Sequence, residues 1–188
     1  MRKTIGLTLF MMVFSGLGGL VGRYSDVEAP APIHTKMISE QEIRDGVKHE
    51  RAERAAKIRM DQAVSLARIT YRTNGCNDKF AQLTARVALD YGLNPRVLAA
   101  VVVAESSARP DAVSGPDIGL MQINTKVWKH YTRAELRDPE QNMRIGARIL
   151  KNCINQYGLV EGLHAYNGFG RQDDAYSTAV LAKAGMQS

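Results

Sequence analysis

Residues 101–124 read VVVAESSARPDAVSGPDIGLMQIN. The stretch begins as an apolar run, carries a single acid, Glu105, and then breaks into Ser, Pro and Gly. Just upstream, Asn94-Pro95 is a helix-start signal, with Pro95 at the first helical position. PRVLAAVVVAES is thus a buried helix that delivers Glu105 to the mouth of a loop. A carboxylate beside three valines is costly to ionise, and in the last helical turn it also meets the negative end of the helix dipole. Both effects would raise its pKa, which is how a protein keeps an acid protonated near neutral pH. A structural glutamate, satisfied by an arginine or by backbone donors, fits the same local sequence equally well.

The neighbouring segments are also helical. Phe80, Leu83, Val87 and Tyr91 recur at helical spacing, and Gly92 supplies the stop. After the loop, TKVWKHY is expected as a short helix. Asp138-Pro139 opens a longer one, with Met143, Gly146, Leu150, Cys153 and Tyr157 along one face and Gly158 at its end. A short helix ends in AYN at 165–167, GFGRQDD follows, and a last helix lies around Val180. No segment alternates with period two over a useful length, so the fold class is all-α.

The 188 residues, 45% hydrophobic and 23% charged, fit one compact domain with additions. Arg2 and Lys3 precede an uncharged stretch from Thr4 to Gly22, so residues 1–22 are expected as a signal peptide or an uncleaved signal anchor. No cysteine follows the run, which excludes a lipoprotein. Residues 23–38, with Pro30 and Pro32, form a linker. Ser39 and Glu42 make a capping box that opens a charged helical stalk over 39–72, and the compact domain spans 73–188. Export places the domain in an oxidising compartment, where Cys76 and Cys153 are expected as a disulfide, worth about 3–5 kcal/mol, with two buried free cysteines as the alternative. The net charge of +6 suits a polyanion such as nucleic acid, acidic lipid or a wall bearing peptide carboxylates, but no nucleic-acid-binding motif accompanies it. Glu161 and His164 are spaced like half of a metal site with no partner, so no metal and no cofactor are assigned, and His130 and His164 are read as packing or surface residues.

Around Glu105 the polar residues have a carbohydrate character. Gly119 would let backbone approach a ligand closely, and the Gln122 and Asn167 amides suit sugar hydroxyl and acetamido groups. Tyr166 adds an aromatic hydroxyl.

ES at 105–106, GLMQ at 119–122 and AYN at 165–167, in this order and spacing, resemble the soluble lytic transglycosylase (SLT) domain, related to goose-type lysozyme. DPEQNMRIGARIL at 138–150 is similar to that family's D-P-x-x-N-x-x-x-G-x-x-x-L helix. The resemblance covers roughly residues 74–170. The form DIGLMQIN and a cysteine near the domain start look most like small specialised members that accompany secretion, conjugation or pilus machines, or phage particles.

The resemblance implies a lysozyme-like fold acting on peptidoglycan, exported to the periplasm and tethered to the inner membrane if residues 4–22 stay uncleaved. Glu105 matches the acid that protonates the oxygen between N-acetylmuramic acid and N-acetylglucosamine. The sugar's own 6-hydroxyl then attacks, leaving a 1,6-anhydro end, with Glu105 as base. Ser114 matches a serine contacting the muramic sugar, and Gln122, Tyr166 and Asn167 match cleft-lining positions, the tyrosine close to the acid. Ser106 and Met121 match substrate-side motif residues whose role is partly packing. Arg109 stands where an Asn before Pro is common, and the sequence after Asn167 lacks the frequent A-G-P. Two alternatives stay open: a lysozyme-like hydrolase using Asp111 or Asp117 as a second carboxylate, and a wall-binding assembly component of an envelope-spanning machine.

Overall fold

A computed structural model describes residues 39–168 and 175–186, of which those from Glu40 onward belong to one compact unit. The apolar segment at 4–22 and the linker at 23–38 lie outside the described residues. No described helix is long and apolar enough to cross a membrane.

Among the described residues seven helices carry the fold: α1 (Glu40–Thr73), α2 (Ala81–Tyr91), α3 (Pro95–Ser106), α4 (Arg133–Arg137), α5 (Pro139–Tyr157), α6 (Leu159–Asn167) and α7 (Ala175–Lys183). α3 is the central one. Val97 to Val103 are all buried, and the helix packs against α1, α2 and α7. Each fully buried Val or Leu contributes about 1.5–3 kcal/mol of transfer free energy, so this helix anchors the core. Its start follows the expected chemistry: the Asn94 side chain accepts from the Arg96 N–H at 2.9 Å, with Pro95 next to it. α2 ends at Gly92 in the left-handed region, whose N–H reaches the Ala88 and Leu89 carbonyls. α5 packs on α2, α4 and α6, and is opened by Asp138 accepting from the Gln141 N–H at 2.8 Å.

The expected stalk is solvated only over its first part. Ile43, Val47 and Ile58 are exposed there, held in helix by i,i+4 pairs such as Arg44–Glu40 and Arg54–Glu50. From Ala63 the helix enters the core: Ala67 and Tyr71 are buried, and the Tyr71 hydroxyl is 2.7 Å from that of Thr84 on α2.

Three further departures concern the loop side of the domain. Among the described residues the helices are joined by three two-residue strands, β1 (Val113–Ser114), β2 (Asp117–Ile118) and β3 (Ile123–Asn124), antiparallel in the order 1-2-3. Strands this short leave no period in the sequence. TKVWKHY is a series of turns rather than a helix, because the Asn124 side chain takes the Lys126 and Val127 N–H groups. α4 was not expected, although Thr132 and Glu135 form its capping box.

The cysteines also correct the expectation: both are free. Cys76 turns back on its own loop, its Sγ 3.7 Å from the Asn74 carbonyl, whereas Cys153 stands on α5 at the wall of the main cleft.

Candidate active site

α3 ends in strained backbone. Ser107 and Ala108 both have positive φ, 52° and 59°, so the chain turns within three residues of Glu105. The Arg109 guanidinium donates to the Ser106 carbonyl at 3.1 Å, which gives this unusual residue a capping role at the helix end. The Ser106 hydroxyl, buried, donates to Val102 and, at 2.8 Å, to the Leu120 carbonyl. That bond fastens the acid-bearing helix to the GLMQ turn.

The GLMQ turn is clamped from the other side by Asn142, itself fully buried on α5. Its Nδ2 donates to the Ile118 and Leu136 carbonyls at 2.8 and 2.9 Å, and its Oδ1 accepts from Met121 N–H at 2.8 Å. Gly119 must be glycine for this reason rather than for a ligand: a Cβ there would lie 2.3 Å from Asn142 Nδ2 and 2.6 Å from the Leu136 carbonyl, at φ +83°. Met121 is wholly buried. Gln122, at φ 45°, spends its Nε2 on the Ala112 and Gly119 carbonyls at 3.2 and 2.9 Å.

The opposite wall comes from α5 and α6. Gly162 lets α6 lie directly on α5, since a Cβ there would sit 2.7 Å from Ile154 Cα. α6 then places Tyr166 and Asn167 at the cleft, and the Tyr166 hydroxyl donates to the Met121 carbonyl at 2.9 Å. That single bond closes the ring from α3 through the GLMQ turn to α6.

Glu105, Ser114, Gln122, Tyr166 and Asn167 therefore line one cleft of about 830 Å³, within the range of ligand pockets. Asp117, Asn124, Trp128 and Cys153 line it too, but Asp111 does not. Ser106 and Met121 do not face it; they hold the floor.

The residue that sequence reading missed is Tyr176 on α7. Its hydroxyl donates to Glu105 Oε1 at 2.5 Å, while Tyr166 lies near enough to feel the Glu105 charge. Burial, followed by the nearby Glu105 charge, pushes both tyrosines well above the usual phenol range, so both remain protonated donors. No spacing pattern could have linked Tyr176 to Glu105, since 71 residues separate them.

A half-buried carboxyl at a helix end, a mixed polar and apolar cleft and fixed phenol donors are the groups that acid–base chemistry on a polar ligand requires. The comparisons with known proteins agree in class. Residues 82–183 match the family model for the Transglycosylase SLT domain, and the chain belongs to this family. It is 40% identical over 80 residues to a transglycosylase of Enterobacteria phage PRD1, covering 42% of this chain and 30% of that protein. It is 30% identical over 95 residues to the endo-type membrane-bound lytic murein transglycosylase A of Cronobacter sakazakii, covering 44% and 46% respectively. The chain spans less than half the length of these curated relatives.

Proposed function

We propose that this protein is a peptidoglycan lytic transglycosylase in which Glu105 acts first as general acid and then as general base. The observation that carries this reading is Glu105 at the end of α3, gripped by Tyr176 at 2.5 Å and opening on the cleft of Ser114, Gln122, Tyr166 and Asn167. In the first step the carboxyl gives its proton to the oxygen between N-acetylmuramic acid and N-acetylglucosamine as the C–O bond breaks. In the second the carboxylate takes the proton of the muramic 6-hydroxyl, whose oxygen bonds to the anomeric carbon and closes a 1,6-anhydro ring. No water is consumed, and the enzyme ends as it began. Tyr176 holds one carboxyl oxygen and so fixes the acid's orientation at the cleft. The basic charge of the chain suits an acidic wall, and the relatives' names are consistent with action at the envelope, either exported or virion-borne.

A second reading has one observation in its favour: Asp117 shares the cleft with Glu105. If it activates water, the products are reducing ends rather than anhydro ends. Mass spectrometry of peptidoglycan fragments released by the full chain, beside Glu105→Gln, decides. Anhydromuramyl ends that vanish in the variant are the expected result. Reducing ends would transfer the reaction to the hydrolase, and intact wall with a folded protein would leave a wall-binding assembly role instead.

A further inference from the structure

A second, smaller pocket of about 210 Å³ lies beside the cleft, between α2, α4 and α5. Its charges are laid out unequally. Arg144 is neutralised on both sides, by Asp90 at 2.9 Å and Glu140 at 3.0 Å. Glu135 is a fixed anion, its Oε2 accepting from the Thr132 N–H and hydroxyl at 2.7 and 2.8 Å. Arg148, exposed, has no ion-pair partner among the described residues; it donates to the Tyr131 hydroxyl and lies over that ring, 5.9 Å from its centroid. One guanidinium and one carboxylate thus share the pocket without pairing with each other.

Residues that line the pocket adjoin residues that line the cleft. Arg148 and Ile149 are neighbours on α5, the first lining the pocket and the second the cleft. On the other side a ridge of rings runs between them: Trp128 at the cleft, His130 at 6.1 Å from it, and Tyr131 at 4.0 Å from His130 and in the pocket.

We propose that this pocket is a second binding site, one that takes the zwitterionic amino-acid end of a wall peptide attached to the strand in the cleft. The inference rests on the peptidoglycan reading given above. A lone anion entering the pocket would meet Glu135, and a lone cation would meet Arg148. A group bearing both an ammonium and a carboxylate meets a partner for each. The planar guanidinium grips the carboxylate through two parallel N–H···O bonds, and Glu135 accepts from the ammonium. A neutral sugar ring offers neither charge, which leaves the glycan to the larger cleft.

The first test is an NMR titration of full-length Glu105→Gln with a soluble tripeptide ending in a diamino acid whose ammonium and carboxylate are free. Shifts are expected at Tyr91, Tyr131 and Gln141. Acetylating the ammonium or amidating the carboxylate should each weaken binding about tenfold, the value of one charge-assisted hydrogen-bond set. Arg148→Ala should lose the shifts, and Arg148→Lys should recover part of them. With glycan strands as substrate, Arg148→Ala should also reduce the preference for peptide-bearing over peptide-stripped strands about tenfold. Unshifted pocket signals at millimolar peptide, or equal binding of the blocked peptides, would overturn the assignment. Peptide binding by a chain whose parent cleaves neither kind of strand would sink the proposed activity and leave the pocket standing.

Discussion

Removing the Asn142 side chain should cost this fold more than any other single polar truncation in its core. Asn142→Ala deletes three hydrogen bonds at once and leaves the Ile118 and Leu136 carbonyls and the Met121 N–H buried beside a cavity. A buried group left unsatisfied costs about 1–3 kcal/mol, and some water will enter, so the total is about 3–6 kcal/mol. Against a typical domain stability of about 5–15 kcal/mol that is a large share. Urea unfolding followed by the single tryptophan, Trp128, gives the loss directly. Asn142→Asp sharpens the reasoning: it keeps the acceptor for Met121 but sets a carboxylate against two carbonyls, so it should be no better than Ala at neutral pH. The geometry also demands coupling with Gly119→Ala, whose new Cβ collides with Asn142 Nδ2. In the double variant that collision is gone while the one with the Leu136 carbonyl stays, so the combined loss should fall short of the sum. A loss under about 1 kcal/mol for Asn142→Ala, or strict additivity, would refute the clamp.

Two further outcomes are expected. Tyr71, Tyr166 and Tyr176 are all pushed above the usual phenol pKa, chiefly by burial. The unfolded chain therefore loses these protons first, and stability, complete below about pH 10, should fall as pH rises beyond it by up to about 4 kcal/mol per pH unit. Circular dichroism against pH, with phenolate absorbance alongside, should show late ionisation of these rings coinciding with unfolding; early, separate ionisation would contradict their burial. The protein purified without reductant should take two thiol labels per chain, one at Cys76 and one at Cys153. Burial raises the Cys153 thiol, so its labelling should be slow at neutral pH, and once attached the label should block strand cleavage from within the cleft. Labels taken up only after reduction, or an unaffected rate, would count against this placement.

Much of this was legible locally. The run from Val97 to Val103, the Asn94-Pro95 and Asp138-Pro139 starts, and the stops at Gly92 and Gly158 are each decided within a turn or two of backbone. The same holds for the order of ES, GLMQ and AYN, which gave the family before any contact was known. The T-x-x-E box at 132–135 is equally local, but the five helical residues it opens show no apolar stripe. The two-residue strands left no pattern to find. At Gly119 a glycine announces close approach without saying what approaches, and what approaches is the Asn142 amide and the Leu136 carbonyl.

The sequence by itself determined that this is a helical domain, that Glu105 ends its most apolar helix, and which polar residues belong with it. Only the tertiary structure decided their duties. Ser106, Met121 and Asn142 became floor and clamp, Tyr176 became the hand on the acid, and the two cysteines stood apart. The reason is physical: helical period, caps and turns are set by neighbours in the chain, whereas a hydrogen bond between residues 71 apart exists only once α3 and α7 have packed.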